Sequence, residues 1–271
     1  MTTVSSLVES AESLWPLHLA EAWDTPGLVT GRYDAEVRKV VLTVDVTAST
    51  VDFALKSGAQ LLMAHHPFLM RGVTTISEQT GKGATIANAI RGGLAIYAAH
   101  TNADVVANGV SDVLAQRLGI QYPEPLQATS ETAGIGRFGE LEESMTLGEF
   151  AKQVARVLPA TATGVRVSGD FNQAVNTVAV CGGAGDSLIG QALASGVDVY
   201  VTADLRHHVV QDAREAALIA AGTPAIIDVS HWASEWLWLE VAAEQLRKIH
   251  PGISFEVCDL RTDPWDFVVT Q

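Results

Sequence analysis

The sequence predicts an α/β fold built from two similar halves, and three observations carry that expectation. Short apolar runs alternate with amphipathic helical stretches, several of the helices stop at glycine, and the order of pieces in the first half recurs in the second. The recurrence is seen in ALKSGAQLLMAHH, residues 54–66, against ALASGVDVYVTAD, residues 192–204. Each reads as helix, Ser-Gly, strand and polar cluster, and each follows an apolar strand, VVLTVDV or TVAVCGG. Such a pair predicts pseudo-equivalent halves with facing strand ends. In that register Asp204 falls where His66 does, with His207 and His208 just after.

Taken in order, Val4, Leu7, Val8, Ala11 and Leu14 form a helical stripe that Pro16 terminates. The segment AEAWDTPGLVTG reads as a structured loop, with Trp23 and Asp24 in a turn that packs one indole. Val40 to Asp45 is a strand, Ala48 to Ser57 a helix stopped at Gly58, and LLMA at Leu61 to Ala64 the next parallel strand. His65 and His66 therefore stand at a carboxyl strand end, the edge where open α/β sheets keep their ligands. A loop, a helix from Ala84 to Ile90 and a strand from Leu94 to Ala99 then deliver HTNAD, with His100 and Asp104 past a second carboxyl end.

Gly109 to Leu118 is a short amphipathic helix, and residues 121–139 are rich in Pro, Thr, Ser and Gly, which places a domain boundary there and divides 1–125 from 126–271. Downstream, MTLGEFAKQVARVL is a helix, and Thr163 to Ser168 and Asn176 to Val180 are strands. CGGAG, Cys181 to Gly185, lacks the endings of a phosphate-binding loop and reads as a tight strand-to-helix turn. Its backbone N–H groups make Gly183, together with Asp204, a candidate substrate contact. A helix from His208 to Ala221 and a strand from Ala225 to Val229 lead to SHWASEWLWLEVAAEQL, a helix whose core face is expected to hold Trp236, Leu237, Trp238 and Val241. His231 and Glu235 are four apart at its start and share one face.

Composition excludes several classes of function. A net charge of -14, with 17 scattered basic residues, argues against a polyanion such as bulk nucleic acid or an acidic membrane. No apolar run approaches the roughly 20 residues that span a bilayer, and the N-terminus lacks a signal-peptide pattern, so a cytoplasmic protein is expected. Cys181 and Cys258, each inside an apolar run, fit small buried hydrophobes rather than a disulfide.

Adjacent imidazoles at a strand end point to opposite sides, which suits two metals better than one. His65, His66, Asp104, His231 and Glu235 make a mixed N and O donor set that fits Zn, Fe, Mn, Co or Ni. A carboxylate bridges two cations naturally, so Asp104 or Glu235 is the candidate bridge, with His100 and His208 as candidate proton shuttles. A paired site of this kind lowers the pKa of a bound water beside an electrophile, which is hydrolytic chemistry.

The ordered set WDTPGL, the TVD strand, AHHP, HTNAD, GGAG, TADLRHH and SHWASE resembles, nearly end to end, the Nif-three-like family of GTP cyclohydrolase I type 2 homologues. The resemblance implies two similar α/β domains with mixed, largely parallel sheets flanked by helices. It also implies a dinuclear metal centre on His65, His66, Asp104, His231 and Glu235, and a ring-shaped homohexamer with its metal sites facing an inner cavity. The family pattern has Asn where this chain has Thr25, and Gly-Glu where it has Ala203-Asp204. The expected function is a metal-dependent hydrolase acting on a nucleotide-like or phosphoester small molecule. The rival from another class is a non-enzymatic metal-handling protein, a chaperone or regulator, which needs the same ligands.

Overall fold

The computed structural model describes residues 1–130, 133–220 and 222–270. In chain order the elements are α1 (Val4–Leu14), β1 (Gly27–Thr30), β2 (Lys39–Thr43), α2 (Ala48–Lys56), β3 (Leu61–Ala64), α3 (Gly81–Arg91), β4 (Ala95–Ala98) and α4 (Thr101–Asp104). They continue with α5 (Val110–Arg117), β5 (Ile120–Ala128), β6 (Gly134–Thr146), α6 (Leu147–Val157), β7 (Arg166–Ser168), β8 (Ala174–Ala184) and α7 (Ile189–Ser195). The last are β9 (Val199–Ala203), α8 (His207–Ile219), β10 (Ala225–Val229), α9 (His231–Ile249) and β11 (Ser254–Val257). The chain forms two compact units, Met1–Ala103 with Leu239–Thr262, and Asp104–Trp238 with Asp263–Gln271. The expected division at 125/126 falls within β5.

The first unit holds a five-stranded sheet in the order β1-β4-β3-β2-β11. β11, β2, β3 and β4 run parallel and β1 is antiparallel at the edge. All four residues of β3 and of β4 are buried, as expected of parallel strands covered on both faces. Val41, Val51, Ala54, Leu62, Ala89, Leu94, Ile96 and Cys258 form one core cluster with α2 and α3. Helix α2 starts on a capping box, in which Thr47 and Thr50 satisfy each other's backbone N–H groups.

The second unit holds a six-stranded sheet in the order β5-β6-β8-β9-β10-β7, in which β8, β9 and β10 are parallel and the rest antiparallel. The fold class is therefore α/β with two mixed sheets flanked by helices. The triplet β2-β3-β4 and the triplet β8-β9-β10 are each strand, helix, strand, helix, strand, which is the repeat seen in the sequence. Of the expected boundary region, residues 121–128 and 134–139 belong to the antiparallel pair β5 and β6 rather than to a linker. The segment expected to end at Val180 runs on to Ala184, so most of CGGAG is strand with a bulge rather than a free turn.

In α9, Trp232 and Trp238 are buried, whereas Trp236, Leu237 and Val241 are only partly so, which shifts the core face from the expected one. Both cysteines are buried and reduced. Among the described residues no helix is long and apolar enough to cross a membrane.

Candidate metal centre

The backbone ladder of the first unit carries past the strands and aims the histidines. Ala64 lies in register with Thr43 and with Ala98, and beyond them His65 N donates to Thr43 O at 3.0 Å and His66 N to Val44 O at 2.9 Å. Ala99 N donates to Ala64 O at 3.0 Å, which brings His100 to the same sheet edge. The ligand-capable nitrogens of His65, His66 and His100 all lie within 4.8 Å of one another. The rings of His65 and His66 are 5.1 Å apart, and His100 is 5.2 Å and 5.4 Å from them.

Each ring is oriented by a partner on Nδ1. His65 Nδ1 meets the carbonyl of Ala99 at 2.8 Å, His66 Nδ1 the Asp45 carboxylate at 2.7 Å, and His100 Nδ1 the Asp24 carboxylate at 2.9 Å. An oxygen on Nδ1 fixes that nitrogen as the N–H and makes Nε2 the one a metal would take, the arrangement usual for metal-ligating imidazoles. Asp45 is itself held by the Thr262 hydroxyl. Asp24 accepts from Thr101 N at 3.1 Å, Thr101 Oγ1 at 2.5 Å and Thr25 N at 2.7 Å as well. Burial pushes the Asp24 carboxyl up, but hydrogen bonds from His100 and Thr101, the His100 charge and the Thr25 amide outweigh it and bring it to about 2. Sequence reasoning gave neither Asp45 nor Asp24 this role. Trp23 lies in the expected turn, closed by Asp24 N on Glu21 O at 2.9 Å, but it is not packed there: the residue is 60% exposed.

The second unit gathers its own donors at the carboxyl ends of β8, β9 and β10. β10 ends at Val229, and His231 opens α9 with its Nε2 2.9 Å from Glu235 Oε1 one turn on, the expected i,i+4 pair. Asp204, just past β9 in the left-handed region at φ 58, accepts from His231 Nδ1 at 2.8 Å. Burial disfavours the charged imidazole of His231, but the Glu235 and Asp204 carboxylates override it and raise its pKa well above the ordinary value. A cation at that nitrogen would replace the proton.

Gly183 lies against this pair: its N–H donates to Ser234 Oγ at 2.9 Å, and its carbonyl accepts from Thr202 Oγ1 at 3.0 Å. The Cys181 thiol is pushed up to about 12, first by burial and then by the charge of Asp104, with Glu235 adding to it. Asp104 and Glu235 thus bear on one neighbourhood.

His208 stands apart: it is exposed on α8, with its ring 5.1 Å from that of His207, and belongs to neither donor group. His207 instead lines a cavity of about 710 Å³ in the second unit, between β7, β10 and α8. None of the expected metal donors lines that cavity.

A family profile described as Duf34/NIF3 (NGG1p interacting factor 3) matches residues 2–264 of the chain. The chain belongs to the Duf34/NIF3 family. A Streptomyces coelicolor protein named GTP cyclohydrolase 1 type 2 homolog is 42% identical, over 98% of this chain and 94% of its own length. A Clostridium perfringens protein of the same name is 31% identical, over 98% of this chain and 99% of its own. Among solved structures, the Bacillus cereus protein related to NIF3 superposes with a TM-score of 0.90 at 27% identity, over 98% of this chain and 99% of its own. As a Duf34/NIF3 protein the chain carries candidate His and Glu metal-binding groups at strand ends.

Proposed function

We propose that this chain is a metal-dependent hydrolase of a nucleotide-like or phosphoester small molecule, with two divalent transition-metal ions per subunit. The proposed ligands are His65, His66, Asp104, His231 and Glu235. The observation that supports this reading most is the set of oxygen partners on Nδ1 of His65, His66 and His100, which commits three neighbouring imidazoles to one coordinating nitrogen each. A buried Glu235 beside His231, under a glycine that leaves room above the carboxylate, supports it from the second unit. The donors fit Zn, Fe, Mn, Co or Ni and not an all-oxygen calcium site.

Two such ions supply a Lewis acid and a water of lowered pKa. The chain's own residues do the rest. Asp24 keeps His100 in one tautomer, so that Nε2 can accept a proton near the donors. Asp204, on Nδ1 of His231, leaves Nε2 as the nitrogen that would hold a metal there. The name shared by the curated relatives makes a purine nucleotide the first substrate class to test. The family reading also carries a homohexameric ring in the cytoplasm, which sedimentation of the purified chain tests.

The deciding experiment is a turnover screen of nucleotides and phosphoesters on the metal-restored chain. Metal-dependent turnover of one class, lost in His65→Ala, is expected. Bound metal that passes readily to an acceptor protein, with no turnover on any substrate, would replace the hydrolase with the metal-handling reading.

A further inference from the structure

We propose that Trp23 is a stacking platform beside the histidine cluster, and that the molecule taken there carries a planar heteroaromatic ring. The inference rests on the hydrolase reading above and deepens it: of the nucleotide-like and phosphoester molecules it allows, the ring-bearing ones are favoured, and one residue is assigned to hold the ring. Its first ground is exposure on a fixed support. Trp23 is 60% exposed, as Trp265 is at 62%, whereas Trp15, Trp232 and Trp238 are 0%, 6% and 1% exposed and serve the core; of the two exposed ones, Trp23 is the one that meets the histidine cluster.

The backbone on either side of Trp23 is anchored. Glu21 N donates to Thr101 Oγ1 at 2.9 Å, and Asp24 N donates to Glu21 O at 2.9 Å. The Asp24 carboxylate accepts from His100, Thr101 and Thr25. A loop tied this way presents its indole in one position at little further entropic cost.

The second ground is location. Trp23 stands edge-to-face on the His100 ring, with centroids 5.8 Å apart and planes at 78°. His100 in turn touches both His65 and His66. A ring stacked on the exposed indole would hold its appended groups next to the coordinating nitrogens. The π-face of an indole has no hydrogen-bond code, so it selects flatness and polarisability rather than one base. A ringless phosphoester gains nothing from it.

The test uses the metal-loaded 271-residue chain, with guanosine 5′-monophosphate and ribose 5-phosphate as probes of equal phosphate chemistry, followed by titration calorimetry. The wild-type chain should bind the ring-bearing probe at least about tenfold more tightly, the gain of roughly 1.4 kcal/mol expected from one stack. Trp23→Ala should abolish that preference while leaving ribose 5-phosphate affinity and metal content unchanged, and Trp23→Phe should keep most of it. Equal binding of the two probes, binding of neither, or a preference that survives Trp23→Ala overturns the stack. So does a Trp23→Ala chain that changes only its sedimentation coefficient, since the indole would then be a subunit contact. Elemental analysis of the same samples reports the metal reading separately, so failure of one is distinguishable from failure of the other.

Discussion

Gly183 and Glu235 are so close that a β-carbon on Gly183 would lie 2.4 Å from the Glu235 carboxylate and 3.1 Å from His231 Nε2. Gly183 also has φ +71, in the left-handed region that costs a residue with a side chain about 1–2 kcal/mol. Gly183→Ala should therefore act twice. Thermal unfolding should show a loss of about 1–2 kcal/mol, and metal titration should show at least tenfold weaker binding as the Glu235 side chain is displaced. An unchanged metal affinity would mean that the carboxylate moves aside without consequence.

Asp24 ties stability to pH in a predictable direction. Its pKa is lowered from 3.8 to about 2 in the folded chain, so its contribution is complete above about 4 and is lost as the pH falls through 2. On metal-free protein, Asp24→Asn should cost about 2 kcal/mol at pH 7, and the difference from wild type should close between pH 4 and pH 2. Denaturant titrations across that range measure it; a difference independent of pH would assign the loss to packing.

Arg137 holds the backbone that follows Asp104. Its guanidinium is 2% exposed and donates to Val105 O, Val106 O, Gly134 O, Gly136 O and the Asp112 carboxylate at 2.7–3.3 Å. Arg137→Met would leave Asp112 and four carbonyls short of a donor, and should cost about 3–5 kcal/mol. It should also weaken metal binding through Asp104 in whatever fraction remains folded. Calorimetric unfolding beside metal titration checks both; normal affinity in the folded fraction would confine Arg137 to stability.

Some of this was legible in the sequence for a physical reason. β3 and β10 are buried along their whole length, so they stand as unbroken apolar runs ending at polar residues. His231 and Glu235 are helix neighbours, and their pairing follows from helical period alone. The β5–β6 pair was hidden because Pro123, Pro125 and the glycines at 134, 136 and 139 carry the composition of a linker. The partners of the histidines were hidden by distance: Asp24 is 76 residues from His100, and Asp45 is 21 from His66. No periodicity links residues that only the sheet brings together. Asp45, at the carboxyl end of β2 beside β3, was the one partner that strand order could have suggested.

The measurement closest to the central claim is elemental analysis of the purified chain and of His65→Ala and Glu235→Ala, each with a circular dichroism spectrum. The account predicts two transition-metal ions per wild-type chain, a loss of stoichiometric metal in both variants, and unchanged secondary structure in all three. Two ions retained in both variants, or none in the wild-type chain after metal restoration, would contradict it.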